Sequence, residues 1–270
     1  MRKRHYYSIY LVIVLIIMYL PIALVVIYSL NQSKISSVWS GWTLSWYREL
    51  WADRSMFEAL LNSLILALLA SFSAAIIGTL GASGMARVRM SAGSKNRFQT
   101  GCGKIMEYLS ILPIMMPEII MGMTFLAFFS LLSLPFGMLT LVIAHTAFCI
   151  PFVYLLVRAR LAGLDKSYVE AARIMGASDM RAFYDITLPL LLPAVISGML
   201  ISFSMSFDDV IVSVFVSGVN TNTLPMKIYS QIKFGVTPKT NAMCTLIFLF
   251  TVILCLIAAA LTRHQKKIRR

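Results

Sequence analysis

Charged residues are scarce in this sequence. Asp, Glu, Lys and Arg make up only 13% of the 270 residues, whereas 59% of the residues are hydrophobic. Soluble domains are about 45–50% apolar, and so few charges could not cover a water-facing surface of ordinary size. The mean hydropathy of +0.81 agrees with this. The composition therefore excludes an ordinary soluble domain and indicates a polytopic membrane protein.

Motifs for catalysis or for metal binding are also missing. The only Gly-Lys pair, Gly103-Lys104, has Phe98 where a phosphate-binding GxxxxGK[ST] loop requires its first glycine. There is no GxSxG elbow or HExxH sequence, and the four cysteines lack a paired metal-ligand spacing. We expect no catalytic residue, metal or cofactor in this chain. Uphill transport would need an ion gradient or a separate ATPase.

Apolar runs recur along the chain, and each is long enough to cross a hydrocarbon core of about 30 Å. The first run follows Arg2, Lys3 and Arg4, as in a signal peptide, but it is too long for one and no clear cleavage site follows. We expect it to be a retained helix. The sequence predicts an all-α fold with six transmembrane helices in one domain over residues 1–270. The predicted spans are residues 8–30, 60–86, 107–132, 138–157, 191–216 and 241–262.

The distribution of lysine and arginine predicts the orientation. Eighteen of the 24 lie in the N-terminal segment, in the loops after the second and fourth spans, and in the C-terminal tail. The positive-inside rule places these segments, and both termini, in the cytoplasm. This bias, with attraction to anionic membrane lipids, accounts for the net charge of +13. The basic segments are too short for a nucleic-acid-binding domain, and we expect no nucleic-acid partner.

All four tryptophans lie between the first two spans, on the external side. Trp39, Trp42 and Trp46 are three and four residues apart, so a short helix would place them on one face. Indole rings favour the membrane interface, and an interfacial helix is one interpretation. A docking surface for an external partner is the other.

Carboxylates occur inside two of the predicted spans. Glu118 follows a proline-rich interruption of the third span, LPIMMPEII, and Asp208 and Asp209 are adjacent in the fifth, SFSMSFDDVIVSVF. A central carboxylate costs about 2.5–3.5 kcal/mol on insertion scales, and it usually faces a bundle interior or a water path. Neighbouring helix positions differ by about 100°, so the two aspartates would face different ways. Glu118, Asp208 and Asp209 are therefore candidate residues of a substrate pathway.

A structural role for these acids is the alternative: each could cap a helix or pair with a buried base. Spans two to six contain no Lys or Arg away from their edges, so bases are few and a functional role is favoured. His145 stands alone in the fourth span. For His145 we expect a hydrogen-bonded packing role and not a proton relay.

The loop between the fourth and fifth spans contains the sequence EAARIMGASDMRAFYDITLP. Residues 165–175 are rich in helix formers and Gly176 is a natural helix stop. Ser178 or Asp179 can cap a second helix that runs to about Ile186. The loop is predicted to be a helix–turn–helix exposed to the cytosol. A short amphipathic helix outside the bilayer must lie on lipid or dock into a groove of another protein.

The same loop resembles the EAA loop of permease subunits of bacterial ABC importers. It matches EAA-x3-G-x9-I-x-L-P without a gap. In that family this loop is the coupling helix, which docks on the cytoplasmic ATPase and transmits its movements. The resemblance assigns the coupling (EAA) loop to residues 158–190. It implies these coupling residues: Glu170, Ala171, Ala172, Gly176, Leu188 and Pro189.

The whole chain is similar to PotC-type permeases of spermidine/putrescine importers. GWTLSWYREL, FCIPFVYLLVRARL, SFSMSFDDVIVSVFVSG and LPMKIYSQIKFGVTP carry this similarity. It implies a type I ABC importer permease fold in the bacterial inner membrane, where polyamines are translocated by alternating access. The implied partners are an ATPase dimer that binds ATP and Mg, a second related permease subunit, membrane lipids and an external substrate-binding protein. A path lined by carboxylates and free of bases suits a polycation.

Other functions remain open. The same machinery could carry another cargo, such as an amino-acid derivative or iron. A proton-driven secondary transporter could use Glu118, Asp208 and Asp209, but the EAA sequence would then be unexplained. A membrane anchor without transport is disfavoured by the intramembrane carboxylates.

Overall fold

The protein is described by a computed structural model. It covers residues 2–33, 38–91, 105, 108, 110–165, 167–219, 221–233 and 235–268, with 2–7, 87–91 and 254–268 described by their backbone alone. The chain packs into two compact units, one of Met1–Phe57 with Lys227–Arg270 and one of Glu58–Met226. A single transmembrane domain over residues 1–270 stays a prediction.

The described residues form helices and no strand; an isolated β-bridge joins Asn31 to Trp42. The all-α prediction is confirmed. In chain order the elements are α1 (Arg2–Tyr28), α2 (Ser45–Ala52), α3 (Arg54–Ser91), α4 (Glu118–Leu131), α5 (Met138–Ala162), α6 (Ser167–Ile174), α7 (Asp179–Ala182), a π-helical segment (Phe183–Thr187), α8 (Leu188–Asp208), α9 (Ile211–Val216), α10 (Leu224–Lys233) and α11 (Pro238–Ile268).

Helices occupy all six predicted spans. Within the described residues, four segments are long and apolar enough to cross a membrane: Ser8–Tyr28, Arg54–Ala86, Met138–Ala162 and Asp179–Asp208. Glu118–Leu131 and Pro238–Ile253 are shorter apolar helices in the third and sixth spans. The predicted start of the third span at residue 107 lies outside the described residues.

The fifth predicted span, residues 191–216, is not one helix. It consists of α8 and α9, separated by Asp209 and Val210. Asp209 has extended backbone angles (φ −65°, ψ 132°). The two aspartates thus lie at a break in the helix and not at successive positions of one helix, which corrects the geometry expected from the sequence.

Helix α5 is at the centre of the core of residues 58–226. Leu141, Val153 and Val157 of α5 are fully buried. Glycines bring two other helices close to Val153: a Cβ on Gly198 of α8 would lie 2.9 Å from its Cα, and a Cβ on Gly78 of α3 would lie 2.9 Å from its Cβ. Because such distances leave no room for a side chain, the helices pack at nearly backbone contact.

In the other unit, α1 and α2 both pack against α11. Asn31, which is fully buried, organises the segment before α2. Its side chain donates to the Val38 carbonyl and accepts from the Ser40 amide, while the Trp46 indole donates to the Asn31 carbonyl. These bonds fix the segment without a helix.

The tryptophans do not share one helix face. Trp39 and Trp42 precede α2 and pack edge to face, with ring centroids 4.9 Å apart. Only Trp46 and Trp51 lie in α2, and the Trp51 side chain is 90% exposed. The helix expected to align Trp39, Trp42 and Trp46 begins too late, at Ser45, because the preceding segment is held by Asn31.

Candidate coupling loop and acidic helix break

The first helix of the EAA loop ends in a Schellman motif at Gly176. The Ala177 amide donates to the Ala172 carbonyl and the Gly176 amide donates to the Arg173 carbonyl, each at 2.9 Å. Gly176 has φ +85°, a left-handed conformation that glycine adopts without steric cost. The predicted helix stop at Gly176 is confirmed.

The second helix of the loop starts at Ser178. The Ser178 hydroxyl accepts a hydrogen bond from the Arg181 amide, which satisfies one free donor of α7. Across the turn, the Arg173 guanidinium lies 2.9 Å from the Asp179 carboxylate. The predicted helix–turn–helix is therefore present, and an ion pair links its two arms. Its second helix does not end near Ile186 as expected, because α7, the π-helical segment and α8 follow one another without a break over Asp179–Asp208.

The candidate coupling residues lie in different surroundings. Glu170, Ala171 and Gly176 are exposed, whereas Ala172 is only 8% exposed. The small side chain of Ala172 thus serves packing within the loop. The neighbouring Ile174 and Met175 are 87% and 88% exposed. Large apolar side chains this exposed beside the turn are typical of a protein-binding surface.

A π-helical segment connects the loop to α8. It spans Phe183–Thr187, and α8 begins with Leu188 and Pro189. Proline has no amide hydrogen and fits the first turn of a helix, where that donor would have no partner. The Thr187 hydroxyl donates to the Ala182 carbonyl. A π turn is rare and occurs often at functional positions.

A cavity of about 600 Å³ lies between the EAA loop and the ends of α3 and α5. Its lining is mainly apolar and includes Tyr154, Val169, Phe183 and Ile186. The cavity thus separates part of the EAA loop from the ends of α3 and α5.

Glu118 is the first residue of α4. It follows the break at Met116 and Pro117 and is exposed. A carboxylate at this position interacts favourably with the helix dipole. One turn further, Gly122 packs against Phe215 of α9, since a Cβ on Gly122 would lie 2.5 Å from that ring. The helix that carries Glu118 thus packs against the helix that follows Asp209.

Asp209 caps α9. Its Oδ1 accepts from the Val212 amide at 3.2 Å, and its Oδ2 accepts from the amide and the hydroxyl of Ser213, both at 2.8 Å. The side chain is 7% exposed. Asp208, by contrast, is the last residue of α8 and is exposed. The two acids share one break, but only Asp209 has this capping role.

His145 of α5 is fully buried beside that break. Its Nδ1 lies 2.8 Å from the Ser206 hydroxyl and its Nε2 lies 3.1 Å from the Ser213 hydroxyl. The expected hydrogen-bonded packing role is confirmed. Ser206 and Ser213 were not among the residues predicted from the sequence, although Ser202 and Ser206 are four residues apart and so share a face of α8.

Among the described residues, no group of three or more His, Cys, Asp or Glu side chains is placed to hold a metal ion. These residues offer a hydrogen-bonded break beside the exposed carboxylate of Asp208, a second break beside the exposed carboxylate of Glu118, and a separate exposed turn at Gly176.

Comparison with known proteins shows the family to which this chain is similar. The family described as "Binding-protein-dependent transport system inner membrane component" matches residues 90–270. The putrescine transport system permease protein PotI of Escherichia coli K12 is 39% identical over 258 residues, which cover 93% of this chain and 89% of the relative. The spermidine/putrescine transport system permease protein PotC of Haemophilus influenzae is 35% identical, over 92% of this chain and 93% of the relative.

Solved structures show the same fold. A bacterial ABC transporter involved in the import of the acidic polysaccharide alginate aligns with a TM-score of 0.72 at 15% identity, covering 96% of this chain and 98% of that one. An inward-facing methionine ABC transporter, MetNI, aligns with a TM-score of 0.57 at 17% identity, over 77% of this chain and 95% of that one. The predicted importer permease fold is thereby confirmed.

Proposed function

This chain belongs to the family of binding-protein-dependent transport system inner membrane components, and on that premise we propose that it is the permease subunit of an ATP-driven polyamine importer. The cargo is putrescine or spermidine, translocated by alternating access. The observation that carries the proposal is the identity of 35–39%, over more than nine-tenths of the chain, to permeases named for these polyamines.

The EAA loop is the coupling element in this proposal. It lies in the cytoplasm together with both termini, as the excess of lysine and arginine in these segments favours. The exposed side chains of Glu170, Ile174 and Met175 form the docking surface for one subunit of an ATPase dimer. ATP and Mg are bound and ATP is hydrolysed in that partner, so this chain has no catalytic residue. The cavity behind the loop allows the docked helix to follow the ATPase.

A second, related permease subunit encloses the pathway with this one, and an external binding protein delivers the cargo. The carboxylates of Glu118 and Asp208 attract the cationic cargo. Both are exposed carboxylates at helix interruptions, and interrupted helices in membranes are tolerated where they line a cavity or a protein interior. A linear polycation loses its water shell on entering such a path, and carboxylates compensate for that loss.

Uptake of radiolabelled putrescine and spermidine tests the function directly. Cells that contain the complete importer are compared with cells that lack only this subunit and with cells that lack only the ATPase, each with ATP synthesis intact or blocked and with or without an uncoupler. We expect uptake that requires the subunit, the ATPase and ATP. Equal uptake with and without the subunit would contradict the proposal. Uptake that needs no ATPase and stops with an uncoupler would indicate a proton-driven carrier instead.

The cargo is tested separately with the purified binding protein. We expect it to bind putrescine or spermidine. If the binding protein instead binds an amino-acid derivative or iron and not polyamines, the proposed importer function would stand but the proposed cargo would be wrong.

A further inference from the structure

A buried polar cluster lies at the break between α8 and α9. It consists of His145, Ser206, Ser213 and Asp209. The first three side chains belong to residues at most 2% exposed, and the Asp209 side chain is 7% exposed. Polar groups are costly to bury unless they are hydrogen-bonded. Here each one is bonded, so the cluster is a stable connection between α5 and the two halves of the broken span.

The direction of the hydrogen bonds follows from the number of protons. The single hydroxyl proton of Ser213 is donated to Asp209 Oδ2. The Ser213 oxygen must therefore accept from His145 Nε2, which lies 3.1 Å away and carries the ring proton. Nδ1 of the neutral ring is then an acceptor, and the Ser206 hydroxyl donates to it at 2.8 Å. The donors run in one direction, from Ser206 through His145 and Ser213 to Asp209.

This chain of bonds crosses the break. Ser206 lies in the last turn of α8, and Ser213 lies in the first turn of α9. His145 holds both through the two nitrogens of one rigid ring. The end of α8 and the start of α9 are thus set at a fixed separation by a side chain from a third helix.

We propose that His145 is a positioning residue for the two aspartates. It fixes α9 against the end of α8, so that Asp209 remains committed to capping and Asp208 is left exposed for a cationic cargo. The statement about the cargo rests on the proposed function, whereas the statement about the geometry does not.

Transport kinetics test the positioning role in the reconstituted importer. His145→Leu keeps the bulk of the side chain but removes both hydrogen bonds. We expect a KM for putrescine raised about five- to tenfold, the loss typical of one or two buried hydrogen bonds, with the amount of assembled complex unchanged. His145→Gln, which can still donate and accept, should restore most of the affinity. A purely structural residue would lower the amount of complex and leave KM unchanged.

Ser202→Ala is the matched control. Ser202 is buried one turn before Ser206 and donates to the Cys149 carbonyl, so it also joins α8 to α5. It does not reach α9. We expect its KM to equal that of the wild type. An equal rise in KM for Ser202→Ala and His145→Leu would overturn the proposal, as would an unchanged KM for His145→Leu.

Amide hydrogen exchange tests the geometry without any cargo. The amides of Val212 and Ser213 are protected by the Asp209 cap. In the purified complex, His145→Leu should speed exchange in residues 210–216 on the order of tenfold, and Ser202→Ala should not. Unchanged exchange in His145→Leu refutes the positioning role. If the wild-type complex ignores polyamines while this exchange result holds, the proposed cargo fails and the positioning role stands.

Discussion

Asp209 and Ser213 form a double hydrogen bond: the amide and the hydroxyl of Ser213 both donate to Asp209 Oδ2 at 2.8 Å. This pairing caps the start of α9 with Asp209. From the sequence alone, the neighbouring Asp208 could equally have filled that role. Two adjacent acids with the same chemistry therefore have different surroundings, and their mutations should have different effects.

Asp208→Asn and Asp209→Asn should affect transport and stability differently. Asp208→Asn removes an exposed charge and should raise the KM for polyamine while the complex stays intact. Both carboxylate oxygens of Asp209 accept hydrogen bonds, whereas Asn has one acceptor oxygen. The lost hydrogen bond should weaken the cap by about 1 kcal/mol, and thermal stability should fall. Uptake kinetics and thermal unfolding of the purified complex measure both effects. Identical behaviour of the two variants would refute this distinction.

Gly176→Val should uncouple ATP hydrolysis from uptake. The strain comes from the backbone, since φ is +85° while a Cβ there would meet nothing within 4 Å. Gly176→Asn is the control, because asparagine tolerates the left-handed region. We expect Asn to keep most coupling and Val to lose it, as measured by uptake per ATP hydrolysed. Normal uptake in Gly176→Val would remove the turn from the coupling role.

Glu170→Lys should leave the subunit in the membrane and reduce coupling. Glu170 is exposed in the first turn of α6, so a reversed charge disturbs docking and helix dipole but not the core. Co-purification of the ATPase with the permease measures docking directly. Glu170→Gln, which keeps the shape, should be milder. Full ATPase recovery with Glu170→Lys would exclude a polar anchor at this position.

Gly198→Ala should destabilise the chain. Its added Cβ would lie 2.9 Å from the Val153 Cα, and backbone cannot move aside cheaply, so we expect a loss of about 1–3 kcal/mol. Gly84→Ala is the matched control on α3, since a Cβ there meets nothing within 4 Å and alanine favours a helix by about 0.5–1 kcal/mol. Thermal unfolding in detergent distinguishes the two. Equal melting temperatures would show that α5 and α8 can separate at no cost.

The ion pair of Asp53 and Lys239 should make stability depend on pH. The carboxylate lies 2.7 Å from Lys239 Nζ, and this hydrogen-bonded cation lowers the pKa of Asp53 although burial opposes it. The pair therefore stabilises the fold above the unfolded pKa of about 3.9, and this stabilisation is lost as pH falls through the lower folded pKa.

Lys239→Gln removes this pair. At pH 5–8 it should lower stability by about 1 kcal/mol, and below about pH 4 its melting temperature should converge with that of the wild type. Lys233→Gln is the control, since Lys233 lies over the Tyr229 ring. A difference that is constant down to strongly acidic pH would rule out Asp53 as the titrating partner.

Local chemistry made the EAA loop predictable. Gly176 ends one helix and Ser178 starts the next through bonds to residues at most five positions away, so the sequence contains every participant. The spans were predictable for a similar reason, because each is a long apolar run that needs no partner to be recognised.

The break after Asp208 was not predictable in this way. No proline or glycine lies there to signal it, and the surrounding residues read as a continuous apolar helix. The hydrogen bonds across the break come from His145, more than 60 residues away in sequence, which contacts Ser206 and Ser213. The predicted helix through Trp39, Trp42 and Trp46 was wrong for the same physical reason. Hydrogen bonds from the Asn31 side chain fix the segment that contains Trp39 in another conformation.

The π turn at Phe183–Thr187 sets the rotational phase of α8. A π turn contains roughly one residue more than an α turn, and one residue rotates everything beyond it by about 100°. Removing that residue would turn Gly198, Ser202 and Ser206 away from α5, although none of them would change. The five residues of the π-helical segment therefore determine which face of α8 packs against α5. Deleting one of them would replace that whole face at once.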